Sequence, residues 1–145
     1  MSAVAQGTVS APPRPVGRRR VALLAGSTVL AVAPYLAGIL VPYYVNDLDV
    51  LPLAEVSSGA YDPKDLWPQG PLAGLTQLAG LLAISLTPLG LLAVLTAALT
   101  GLAPRRRRSA PVVTAGLALV ALSCLAALAF YFSPMGAALM SWRLD

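Results

Sequence analysis

The residues best suited to chemistry stand together at Asn46-Asp47-Leu48-Asp49. Two carboxylates separated by one residue offer the oxygen donors that a hard divalent cation takes, so Asp47 and Asp49 are the metal-ligand candidates. The rest of the reactive inventory is thin. There is no histidine, the commonest general base and metal ligand. The single cysteine, Cys124, lies inside an apolar run, where it has no intrachain disulfide partner and its thiol is poorly ionised. The sequence contains no phosphate-cradling glycine loop, nucleophile elbow, zinc-ligand spacing or nucleic-acid module. The expectation is a chain with no catalytic residues and no cofactor.

The Asp-x-Asp pair, following a first apolar run, resembles the divalent-metal motif of membrane glycosyltransferases. The resemblance covers three residues, and those enzymes have many more spans and a large loop. It implies a metal held by Asp47 and Asp49 on the side the loop faces. The reading adopted is a solvated acidic loop.

What must position these residues is set by composition. Hydrophobic residues make up 57% of the 145 and charged residues only 11%, against about 25% charged in soluble domains. Mean hydropathy is +0.75. Within that apolar chain Pro104-Arg105-Arg106-Arg107-Arg108-Ser109-Ala110-Pro111 separates two long apolar runs. An arginine at a bilayer centre costs about 2.5–3.5 kcal/mol on insertion scales, so four together would cost on the order of 10 kcal/mol. The cluster therefore belongs at a membrane surface, as the turn of a helical hairpin.

Three runs are long enough, at 1.5 Å per residue, to cross a hydrocarbon core of about 30 Å. They cover about 21–41, 72–103 and 112–132. Residues 1–17, proline-rich and without apolar period, read as a disordered cytosolic tail, and 18–145 as one membrane domain. Arg18-Arg19-Arg20 before the first run also fits a signal peptide or, faintly, a twin-arginine signal. Pro34 would follow the small-x-small site Ala31-Val32-Ala33, where cleavage is disfavoured, so a retained span is expected. The second run exceeds one crossing and holds Pro88 and Gly90 near its middle, which predicts a long, kinked helix. Between the first two runs lies an acidic loop over 42–71, in which Asp62-Pro63 reads as a helix start, a single turn running to Trp67 before Pro68 stops it. Residues 133–145 read as a short helix in the membrane interface: Ser133-Pro134 starts it, Met135, Leu139 and Trp142 share a face, and Arg143 and Asp145 lie in water.

The fold class expected is an all-α integral membrane protein with three transmembrane helices. Its orientation follows from charge. The amino-terminal segment and the 104–111 hairpin hold eight basic residues and no acid, whereas the opposite side holds all six acids against Lys64 and Arg143. The positive-inside rule puts the amino terminus in the cytoplasm and the carboxyl terminus outside. Arg18, Arg19, Arg20 and Arg105, Arg106, Arg107, Arg108 are then the topology and lipid-headgroup residues. Their location beside spans favours anionic lipid over nucleic acid as the partner. Nine of ten basic residues are arginine in an Ala-, Leu-, Gly- and Pro-rich chain, the composition of a GC-rich bacterial genome.

Ala93, Ala97 and Gly101 repeat at four-residue spacing and mark a face for close helix packing, as Ala22 with Gly26 and Ala33 with Ala37 do in the first span. No span carries Asp, Glu, Lys, Arg or His, so proton-coupled transport by this chain alone is not expected. The function expected is a non-enzymatic accessory or structural component that packs against a larger membrane complex or itself. The alternatives are a homo-oligomeric channel or exporter component, with Gln77, Ser85, Thr87, Thr96 and Thr100 lining it, and a metal-dependent membrane enzyme using Asp47 and Asp49.

Overall fold

The computed structural model describes residues 17–63, 65–103 and 110–144, and these form helices and turns without a strand. The tail over 1–16, Lys64, the Arg105–Arg108 cluster and Asp145 lie outside the described residues. Helix α1 (Arg18–Tyr35) runs through a π-helical turn (Leu36–Leu40) into α2 (Val41–Val45) as one rod of 28 residues. A 3-10 turn (Leu48–Val50) and a four-residue helix α3 (Leu53–Val56) lead to α4 (Pro71–Leu102), α5 (Pro111–Tyr131) and α6 (Pro134–Leu144). The α1–α2 rod, α4 and α5 are each long and apolar enough to span a membrane.

Prolines start three of these helices because a first-turn residue needs no N–H donor. Pro71, Pro111 and Pro134 each stand at a first helical position. Ser133 caps α6 as the sequence suggests, its Oγ accepting from the Gly136 N–H at 3.1 Å. Prolines inside helices have the opposite effect, removing a donor four residues ahead of a carbonyl. Pro88 lies within α4, and the orphaned Ile84 carbonyl accepts instead from the Tyr131 hydroxyl on α5 at 2.5 Å. Between Pro34 and Pro42 the rod widens into its π turn, where the Val41 N–H reaches back five residues to Leu36.

The three long helices close around Leu91, Val94, Leu95 and Ala98 of α4 and Val120, Ala121, Cys124 and Leu128 of α5. The Thr28 hydroxyl donates to the Leu24 carbonyl at 2.9 Å and lies 3.7 Å from the Cys124 sulfur, a buried, packed thiol. A second core, at the loop end of the bundle, gathers Tyr35, Ile39, Tyr43, Leu48, Val56, Ala83, Tyr131, Leu139 and Trp142. Leu23, Leu30, Leu75, Leu89, Leu119 and Leu122 point away from both cores and are more than half exposed.

Candidate functional site

The acidic segment enters the loop end through Asn46, at the end of the α1–α2 rod. Its side-chain amide donates to the Pro42 carbonyl at 2.6 Å and to the Trp67 carbonyl at 3.0 Å. Its oxygen accepts from the Trp67 N–H at 2.9 Å. One side chain thus clips the far end of the loop to the rod. Asp62-Pro63 starts a turn, closed by the Asp65 N–H on the Asp62 carbonyl at 3.1 Å, in keeping with the single turn the sequence suggests.

Asp47 and Asp49 flank Leu48, which is buried while both acids are exposed. Asp47 takes a left-handed backbone with φ 53°, a conformation open chiefly to Gly, Asn and Asp. Among the described residues no group of three or more His, Cys, Asp or Glu side chains is placed to hold a metal ion. The Tyr61 hydroxyl donates to Glu55 at 3.0 Å, and this bond pushes the phenol pKa above its ordinary value.

Helix α6 folds back over this loop. The Trp142 indole N–H donates to the Tyr61 carbonyl at 2.8 Å, and Leu139 and Trp142 are fully buried. The apolar face legible in the sequence is therefore covered by the protein's own loop and rod. That docking overturns the placement of Arg143 in water: the residue is only 8% exposed. Its stem crosses α4 at Gly80, where an added Cβ would stand 2.5 Å from Nε and 3.0 Å from Cγ. Gly80 in turn lies backbone to backbone on Gly38, so a Cβ on Gly38 would meet the Gly80 nitrogen. The Arg143 Nη2 is buried without a hydrogen-bond partner, and burial lowers the guanidinium pKa.

Beside this crossing, Val32, Tyr35, Leu36, Thr87, Leu91 and Phe130 border an apolar cavity of about 220 Å³. The Tyr35 and Thr87 hydroxyls, both buried, have no hydrogen-bond partner among the described residues. Rings stack around it, with Tyr35 5.8 Å from Tyr131 and 6.1 Å from Phe130. A second apolar groove of about 440 Å³ runs along Val41, Trp67, Leu72 and Leu75.

The other sequence candidates are dispersed. Arg18 and Arg19 are exposed and Arg20 half-buried at the opposite end of the bundle. Of the small-residue face, Gly101 is buried against Leu117, Ala97 is half-buried and Ala93 is exposed. Gly26 has open space around it, and α1 approaches α4 instead through Ala31 on Gly90 and Gly38 on Gly80. Thr87 is buried within the bundle, whereas Ser85, Thr96 and Thr100 face outward and Gln77 is half-buried. The Thr96 and Thr100 hydroxyls donate to Leu92 and Ala97 carbonyls of their own helix at 2.8 and 2.9 Å. Arg143 and Asn46 carried no sequence signal of their roles: each depends on a partner more than twenty residues away.

The chain matches no protein-family model, and no curated protein or solved structure is significantly similar to it.

Proposed function

We propose that the protein is a non-enzymatic, multi-pass component of a bacterial inner membrane, one that packs against a larger membrane complex or against further copies of itself. The observation that carries this reading is the outward apolar surface of the three long helices, whose inner faces already pack on one another. Leu75, Leu78, Leu86, Leu89 and Leu99 of α4 and Leu119, Leu122 and Leu125 of α5 are 49–67% exposed. Contiguous apolar surface on that scale belongs against lipid or another protein. The charge pattern supports a cytoplasmic amino terminus and Arg105–Arg108 hairpin, with the acidic loop and α6 on the far side.

Cross-linking tests it. In a Cys124→Ser background, cysteines placed one at a time along α4 should give dimers or larger adducts at outward positions such as Leu89, and none at buried Leu91. Native gels in mild detergent that hold only monomer would count decisively against the proposal.

A channel between copies is the second reading, favoured by the outward position of Ser85, Thr96 and Thr100. Two of those hydroxyls are already bonded to their own helix, which leaves a weakly polar lining. Flux of small ions through purified protein in liposomes is expected to stay at background.

A further inference from the structure

The contact between α6 and α4 carries an inference about lipid. Arg143 is 8% exposed, and its stem is held in the notch left by Gly80. Its neighbours on α6 anchor it there, since Leu139 and Trp142 are fully buried and the indole is bonded to the Tyr61 carbonyl. Yet Nη2 has no hydrogen-bond partner among the described residues. A buried cation left without a counter-charge is strongly destabilising, whereas one that meets an anion is not. The guanidinium's planar fork of donors suits phosphate oxygens in particular.

The height of the contact indicates where that anion comes from. From Leu102, beside the arginine hairpin, to Gly80 is about 33 Å at 1.5 Å per residue, and from Arg20 to Gly38 about 27 Å. A hydrocarbon core is about 30 Å thick. With Arg18–Arg20 at one headgroup layer in the proposed topology, Arg143 stands level with the other. Leu81 and Leu82, the next residues of α4 toward the bundle's middle, are 55% and 41% exposed, so apolar surface for acyl chains begins at this height.

We propose that Arg143, seated at Gly80, binds the phosphodiester of an anionic membrane lipid in the leaflet at the loop end of the bundle. This site rests on the membrane-spanning reading above, but its test does not require insertion. Full-length protein in mild detergent is titrated with phosphatidylglycerol, with phosphatidylcholine of the same chains, and with inorganic phosphate. Bound lipid is counted by native mass spectrometry and the unfolding midpoint is followed. Phosphatidylglycerol should raise the wild-type midpoint more than phosphatidylcholine does, and inorganic phosphate should leave it unchanged. Arg143→Met, which keeps the stem's packing, should retain one phosphatidylglycerol fewer and bind it about tenfold more weakly. Arg143→Lys, with charge but no fork, should fall between. Equal retention by wild type and Arg143→Met overturns the site, as does an equal midpoint rise with inorganic phosphate. If the methionine variant does not fold, the wild-type comparison of the two lipids decides alone. Failure of the spanning reading would register elsewhere, in the sidedness of the carboxyl terminus.

Discussion

Asn46 uses both amide protons and its oxygen on backbone groups of Pro42 and Trp67, and two neighbouring acids that look more reactive do less. Asn46→Ala leaves the Trp67 N–H and carbonyl to water, a loss of about 0.5–1.5 kcal/mol per hydrogen bond. Asn46→Asp should be worse, since its carboxylate faces two carbonyl oxygens. Limited proteolysis should show the loop over 57–66 cut faster in both variants. Asp47→Asn and Asp49→Asn should leave the rate unchanged, because asparagine tolerates the left-handed backbone at 47 and Asp49 is exposed. Gly38→Ala presents a sharper case, for the added methyl meets the Gly80 backbone, which cannot rotate away. Overpacking of this kind costs about 1–3 kcal/mol, read as a lower unfolding midpoint in detergent. Gly74→Ala, in open space on the same helix as Gly80, should instead hold or gain stability. The sequence marks the acids and the small residues but not which of them matter. A side chain's worth here is set by partners across the fold, and one sequence contains no record of such pairings.

At the level of helices, much more was legible. Apolar length and arginine boundaries suffice to place α4 and α5 within a residue or two of their observed ends, because these signals are local. The misplaced feature is one that tertiary contacts decide. Arg143 leaves water because docking α6 buries Leu139 and Trp142 beside it. Pro88 illustrates how one helix repairs another. A proline this deep in α4 frees the Ile84 carbonyl, and Tyr131 supplies the missing proton donor from α5. Tyr131→Phe should therefore destabilise the bundle by about 1–3 kcal/mol, the cost of a buried acceptor left unmade. Pro88→Ala restores a backbone N–H at the same carbonyl, so in the double variant the phenylalanine should cost clearly less than it does alone. A double-mutant cycle on unfolding midpoints measures the difference. Strict additivity would mean that the tyrosine acts by packing and not by that hydrogen bond.

For the whole molecule the governing quantity is the separation of charge along the bundle. Eight basic residues and no acid precede or join the spans at one end, against six acids and two basic residues at the other. All nine aromatics lie at the second end or just inside it, and Tyr35, Tyr43, Tyr131 and Trp142 are buried in its packed core. The proposed topology follows from this pattern by the positive-inside rule, with the arginine-rich end in the cytoplasm. Alkaline phosphatase, active only outside the cytoplasm, should be active when fused after Asp145 or within the loop at Gly59, and silent when fused at Ala110. A maleimide that cannot cross membranes should label Asp47→Cys in intact cells. Replacing Arg105–Arg108 with glutamine removes the four charges between α4 and α5, so activity of the Asp145 fusion should fall while the Gly59 fusion, governed by Arg18–Arg20, keeps its signal. A silent Asp145 fusion beside an active Gly59 fusion in the unaltered chain would leave α5 or α4 uninserted, and α6 could not then reach the headgroup layer at which Arg143 is placed.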